Sequence, residues 1–327
     1  MKTHLVIPGL LGYLPRLREL GELPRFPQIE RLLARADLKS AQPDYFRTLF
    51  DLHGLEMQGK ADLPTAALCY HAEQGVERLP DAYLFHADPI HLRPDQDRLL
   101  AFDFTHSPLD EADAAQFADA FNQHFAEDGI RLLTPDASRW YLSVSAMPDL
   151  RTRPLYEVLG RNIDFFLPQG PDAGYWRSWM NELQMLFYTL PVNASREAEG
   201  QLPVSSLWLS GGGVLPSTAL KGFSQREGDC IFLTGLEALC AEKNDAYLVV
   251  EHAPGRAVLD ADSEAWLAAV KRIDVRLADM LDQDLVLYPC EGRAWHWQAK
   301  MHRRFWQRTK PFAHWIATEG ESVDQIL

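Results

Sequence analysis

The chain has 327 residues, 46% of them apolar, enough to bury one large core or two modest ones. It carries 32 basic against 46 acidic residues, and a net charge of −14 excludes unspecific binding to nucleic acid or to an anionic membrane through overall charge. No apolar run is long enough to span a bilayer, and the opening MKTHLVIPGLLGYLPRLREL is too short in its apolar stretch to be a secretory signal.

Strands are expected at His4 to Ile7, Ala82 to Phe85 and Leu99 to Phe102, with HADPIH (His86, Asp88, His91) as the nearest approach to a local ligand cluster. Asp110 to Phe125 reads as a helix with acidic residues at its start, where they suit the dipole. A strand at Trp140 to Val144 follows. Met147 to Pro171 is rich in Pro and Gly and reads as a long surface connection carrying Arg151, Arg153 and Arg161. Between Asp172 and Leu190, Trp176, Met180, Leu183, Phe187 and Leu190 fall at steps of four and three, so one helical face is buried; Asp172 is the expected cap and Pro191 the stop.

The segment Leu190 to Gly213, LPVNASREAEGQLPVSSLWLSGGG, reads as the edge of a binding site. Asn193 and Arg196 offer an amide beside a planar guanidinium, a pair suited to clamping phosphate or carboxylate. Ser206 to Leu209 is an apolar strand, and Gly211, Gly212 and Gly213 at its end permit positive φ and close approach to a ligand. Further strands are expected at Tyr247 to Val250 and Leu285 to Tyr288. Between them Ser263 to Leu281 buries Trp266, Val270, Ile273, Leu277 and Met280. The tail RAWHWQAKMHRRFWQRTKPFAHW interleaves Trp295, Trp297, Trp306 and Trp315 with cations, one signature of nucleotide stacking and equally of an amphipathic edge strand followed by a docking wedge at Phe305 and Trp306.

The order Asn193, Arg196, Pro203, a small polar pair, apolar strand and Gly-x-Gly resembles the corresponding segment of the archaeal-type cofactor-independent phosphoglycerate mutases of the alkaline phosphatase superfamily, with Ser205 where that family usually has Asn. Leu5 to Gly12 is similar to the family's first strand and turn, Pro24 to Ala36 to the helix after it, and Asn244 to Leu281 to its late strand and long helix. The resemblance implies a fold of the α/β class, with a mostly parallel central sheet, helices on both faces and a small inserted α+β unit. It places the core at 1–85 and 190–327, the insertion at 86–149 and a connecting loop and helix at 150–189. It also implies metal ligands and a nucleophile, most of which this chain lacks, with His252 and His302 in positions that match. Pro8 stands where the family has a metal-binding aspartate, and Pro289, Cys290 and Glu291 where an Asp-His pair is expected. Thr48 is the one aliphatic hydroxyl in Asp44 to Gly54, the segment matching the phosphorylated serine.

A two-metal site needs several carboxylates and imidazoles, so the chain resembles a degenerate bacterial branch of the family described as mutase-like or regulatory. The leading expectation is a non-catalytic protein holding an anionic or phosphorylated metabolite, or a protein partner, in a remnant cleft formed by Asn193, Arg196, Ser205, Gly211, Gly212, Gly213 and Arg161. No cofactor, nucleic acid or membrane is expected. One alternative is a metal-dependent phosphomutase or phosphatase with ligands rearranged onto His86, Asp88, His91, His252 and His302. The other is a structural or assembly protein. Four scattered cysteines without a C-x-x-C pair fit reduced thiols in the cytoplasm.

Overall fold

In the computed structural model of the chain, residues 2–12, 23–55, 62–75, 81–217 and 220–316 are described. In chain order the elements begin with β1 (Lys2–Val6), α1 (Pro27–Arg35), β2 (Asp37–Ser40), α2 (Tyr45–Leu52) and α3 (Thr65–Gln74). Next come β3 (Tyr83–Asp95), β4 (Arg98–Phe102), α4 (Glu111–His124), β5 (Ile130–Asp136), β6 (Arg139–Val144), α5 (Ala173–Tyr188) and α6 (Pro191–Ala198). The chain continues through β7 (Ser206–Gly213), β8 (Leu220–Glu227), α7 (Ile231–Ala238), β9 (Cys240–Val250), α8 (Ala253–Leu259), α9 (Ser263–Met280), β10 (Leu285–Tyr288) and β11 (Arg293–Trp297). None of the described helices is long and apolar enough to cross a membrane.

Two compact units emerge. The first comprises Met1–Met57, Ala219–Cys230 and Leu239–Leu327, and the second Gln58–Thr218 and Ile231–Ala238.

The first unit is built on a sheet in the order β2-β11-β10-β1-β9-β8. The pairs β1/β10, β1/β9 and β8/β9 are parallel, while β11 and β2 add two antiparallel pairs at one side. Burial on both faces explains why β1 and β10 read as apolar runs. Alternate residues Leu5, Ile7, Val249, Leu285, Leu287, Trp295 and Trp297 pack on α1 and α9, with Trp266 fully buried among them. On the opposite face His4 meets Phe223, which in turn meets His53 at the end of α2. The expected parallel core with helices on both faces is therefore present, with an antiparallel margin. The Ala294 to Gln298 alternation is strand β11, but it is internal, and the edge is β2.

The second unit carries an antiparallel sheet, β4-β3-β6-β5, with β7 also paired to β3. It is wider than the insertion expected at 86–149, because β7 is antiparallel to β3 from Leu207↔Pro89 to Leu209↔Ala87 and so draws 190–218 into this unit. Helix α5 follows the same logic. Its stripe of Trp176, Met180, Leu183 and Phe187 is buried as expected, but in the core of the antiparallel sheet rather than on a parallel one. Asp172 precedes α5 without capping it, since its carboxylate accepts from Asp149 N–H, and Pro191 opens α6 at its first turn instead of only ending α5.

Two buried carboxylates tie the first unit together. Asp274 on α9 accepts from the N–H groups of Gln28 and Ile29 at 2.8 and 2.9 Å, capping α1 from a neighbouring helix. Glu30 is 1% exposed; it takes Arg25 in a bidentate pair and also accepts from Phe312 N–H at 3.0 Å, tying the chain's late segment to α1.

Burial alone raises the Glu30 pKa, and Arg25 with the Phe26 and Phe312 N–H groups reverses this, holding it below the ordinary 4.5. Because the folded value lies below the unfolded one, this stabilisation is complete above about pH 4.5 and is lost as pH falls through the folded value. Glu30→Gln is expected to lower stability at neutral pH by about 2 kcal/mol and to flatten the acid limb of the stability curve. Urea titrations across pH check both effects, and an unchanged acid limb would refute the assignment.

Candidate functional site

The expected clamp is built into the second unit as a latch. Asn193 closes a buried backbone bridge, donating to the carbonyls of Phe187 and Val204 at 2.8 Å each and accepting from Val204 N–H at 2.8 Å. Arg196, 2% exposed, donates to Asp113 at 2.5 Å, to Leu202 O at 2.9 Å and to Ser107 O at 3.1 Å, and lies over the Phe104 ring. Each of its three nitrogens is bonded within the unit. Ser205 accepts from Leu92 N–H and donates its own N–H to Ile90 O, extending the pairing of β7 with β3. These residues hold architecture within the second unit, with Arg196 paired to an acidic partner.

The three glycines are needed for close packing within the protein. Gly211 has φ of 62°, and a Cβ there would overlap the Thr65 hydroxyl; at Gly212 it would strike the Phe85 ring, and at Gly213 Pro64. The turn is occupied by the protein itself. Arg161 is exposed, stacked over Phe166 at 4.3 Å and bonded to Glu157 O, apart from the Arg196 latch.

The rearranged metal set is also dispersed. His86 and Asp88 alternate onto one face of β3 and His91 onto the other, where its ring meets Pro203 O. Burial drives the His86 pKa down to about 4 and, with the Asp103 charge adding to it, that of Asp88 up to about 7. His302, in the first unit, is bonded through Nδ1 to the Ala299 carbonyl of its own turn. Among the described residues no three His, Cys, Asp or Glu side chains converge closely enough to hold a metal ion.

A different cluster does assemble, at the carboxyl ends of the parallel strands in the first unit, the general location for sites in such sheets. After β1, Pro8 leads into Gly9, whose φ of 73° lets the turn press against Gly255 in α8. Trp266 Nε1 then donates to Gly9 O and seals the turn. After β9, Glu251 accepts from Ala253 N–H and His252 stands at the start of α8 without a side-chain capping bond. The His252 ring lies 5.1 Å from that of Tyr45, with Tyr45 Oη 3.4 Å from His252 Nε2 and 3.4 Å from Cys230 Sγ. Asp44 caps α2 through Arg47 N–H, and Thr48, 2% exposed, donates its hydroxyl to Asp44 O at 2.7 Å. After β10, Cys290 takes a φ of 64°, unusual for a side-chain-bearing residue, and its thiol lies beside Thr48.

The electrostatics there follow from burial. It raises the Asp44 carboxyl, pushes the Cys290 thiol up to about 12 and Glu291 up to about 7, and lowers the His252 imidazole, so this corner favours neutral forms. The sequence names His252, Cys290, Glu291 and Thr48 as points of comparison but gives no sign that Tyr45 and Cys230 join them. Tyr45 and Cys230 meet only because α2 and the end of β8 fold to one place, a juxtaposition across 185 positions that no local spacing encodes.

No protein-family profile matches the chain. Two curated proteins are similar over part of it. The 2,3-bisphosphoglycerate-independent phosphoglycerate mutase of Methanosarcina mazei is 24% identical over 213 residues, covering 61% of this chain and 51% of that protein. The 2,3-bisphosphoglycerate-independent phosphoglycerate mutase 2 of Methanothermobacter thermautotrophicus is 29% identical over 165 residues, covering 48% of this chain and 38% of that protein. The chain thus spans about half or less of these relatives' length, and its similarity to the two mutases is distant. Among solved structures, a cofactor-independent phosphoglycerate mutase from Thermoplasma acidophilum aligns with a TM-score of 0.40 at 17% identity, covering 90% of this chain and 89% of that one. A protein from Pyrococcus horikoshii aligns with a TM-score of 0.49 at 13% identity, covering 91% and 87%.

The latch makes a direct prediction. Arg196→Ala leaves Asp113 and two carbonyls without their donor in a desolvated pocket and is expected to cost about 3 to 5 kcal/mol of stability. Arg196→Lys recovers only part of that, because an ammonium cannot reproduce the fork. Denaturant unfolding measures both, and an Arg196→Ala protein as stable as the parent would return Arg196 to the list of candidate binding residues.

Proposed function

We propose that the chain is a phosphoglycerate-mutase-like protein that works by binding rather than by metal-dependent phosphoryl transfer. The observation that carries this reading is the state of Thr48, the hydroxyl aligned with the family's nucleophile. It is 2% exposed and its proton is committed to the carbonyl of its own helix. A nucleophile for in-line attack has to present its oxygen to the substrate and be activated by a base or a metal. Around Thr48 the aligned metal positions are Pro8, which has no ligand atom, and Cys290, whose thiol is held protonated by burial.

The occupant proposed for this corner is a partner protein or ligand that hydrogen-bonds to neutral groups. Asp44, Tyr45, His252 and Glu291 offer carboxyl, phenol and imidazole, whereas the anion clamp expected from the sequence is consumed in the second unit. A phosphorylated metabolite accordingly ranks behind a regulatory role through protein contact.

The test is an assay of the purified chain for phosphoglycerate mutase and phosphomonoesterase turnover with manganese, magnesium, zinc or cobalt supplied, together with elemental analysis. The expected result is no metal-dependent turnover and no tightly held metal in stoichiometric amount. Turnover that needs an added divalent ion and disappears in Thr48→Val would overturn the proposal.

A further inference from the structure

Between Arg293 and Ile316 the sequence has six lysines and arginines and no acidic residue, in a chain whose net charge is −14. The structure divides this stretch into a buried base and an exposed tip. Trp295 and Trp297 lie in the core of the first unit, and Trp297 Nε1 is satisfied by Leu281 O at 2.8 Å. Met301 and Phe312, each 1% exposed, anchor the chain on either side of the turn that follows. Arg304 fastens the turn from beneath, donating to Arg35 O at 2.8 Å and to Asp37 at 2.7 Å.

On this anchored base the turn lifts Phe305 and Trp306 into solvent, 80% and 66% exposed. Backbone bonds Phe305 N–H to Arg303 O and Gln307 N–H to Arg304 O fix the tip. Lys300, Arg303, Arg308 and Lys310 are exposed in the same short stretch. A folded chain gains nothing for its own core by holding two large rings in water on a braced support. The charge around them selects a polyanionic surface.

We propose that the Phe305–Trp306 turn is a peripheral membrane contact: the two rings seat at the headgroup boundary of an anionic lipid surface while Lys300, Arg303, Arg308 and Lys310 meet the lipid charge. Ring geometry favours lipid over single-stranded nucleic acid. The two rings stand edge to face at 77°, so successive parallel bases stacked on one would meet the other side-on. An interfacial region of disordered headgroups and chain ends accepts two rings at any mutual angle, and aromatic residues with flanking cations are the side chains that such boundaries favour. The acidic remainder does not forbid this, because charges more than about 8 Å away are largely screened at physiological salt.

The experiment is co-sedimentation of the full chain with vesicles of phosphatidylcholine alone and of phosphatidylcholine mixed with phosphatidylserine. Binding is expected to the mixed vesicles only, weakening as sodium chloride is raised. The double variant Phe305→Ser with Trp306→Ser is expected to lose that binding with unchanged circular dichroism and thermal unfolding, since both rings are exposed. Arg303→Ala with Arg308→Ala is expected to weaken it on the order of 10-fold or more. Lack of binding to phosphatidylserine vesicles at low salt would overturn the proposal, as would undiminished binding by the ring variant. So would finding that the ring substitutions act instead on retention of a single-stranded oligonucleotide, or on self-association seen by sedimentation.

Discussion

A charge or polar group withdrawn from water has to be met by partners inside the protein, and that constraint orders both units of this chain. Arg196 is the strongest instance. Its fork joins α6 to the start of α4 through Asp113, to the preceding loop through Ser107 and to the chain leading into β7 through Leu202. Asn193 satisfies the backbone at the same bend. Once these two side chains have fixed 187–204, β7 enters the sheet beside β3 with Ser206 opposite Ile90 and holds that register as far as Ser210 opposite His86, before a shift that sets Gly213 opposite Leu84. The glycines after it are then required to let the strand end pass Thr65, Phe85 and Pro64. Glu30 and Asp274 apply the same rule in the first unit, each joining segments far apart in sequence.

Such satisfaction has a functional consequence. A buried guanidinium with each of its nitrogens bonded inside the protein is not free for a ligand, however well its sequence context matches a binding motif. The same holds for a hydroxyl donated to its own helix, as in Thr48. Distant similarity to phosphoglycerate mutases is therefore compatible with replacement of residues at the strand ends. The scaffold is stabilised by burial of apolar faces, which tolerates such replacement, whereas the ligand positions have to be filled by particular atoms.

How far the sequence revealed this depends on whether the signal is local. The helices at 110–125, 172–190 and 263–281 are legible because their apolar stripes are long and periodic, and the strand at 285–288 because both faces are apolar. The pairing of β7 with β3 was not, since it joins residues more than 110 positions apart and a strand's apolar run is the same whether its partner is parallel or antiparallel. The Asn193 and Arg196 spacing was legible as a motif but not as a role. An arginine that binds an anion and one that pairs with Asp113 present the same letters, and only the approach of α4 decides between them. Likewise β2, β8 and α7 were missed, β2 being a short exposed edge with no buried face to give it a period.

The C-terminal stretch shows how an average can conceal a feature of this kind. A net charge of −14 argues against a polyanionic partner only if the charges act together, and screening over about 8 Å prevents that. What a surface presents is set by the residues within roughly that radius. Around the Phe305–Trp306 turn, the neighbours in sequence are cations without an intervening acid, and of the carboxylates bonded to this stretch Asp37 is paired with Arg304 and Glu30 with Arg25. The pattern of aromatics among cations carried two readings at once, and the structure separates them by residue. Trp295 and Trp297 belong to a strand and fill a core, while Phe305 and Trp306 belong to a turn and have no core to fill. The physical difference lies in the brace beneath them: a turn pinned by Met301, Phe312 and Arg304 cannot fold its rings inward, so their apolar surface can leave water only against another body.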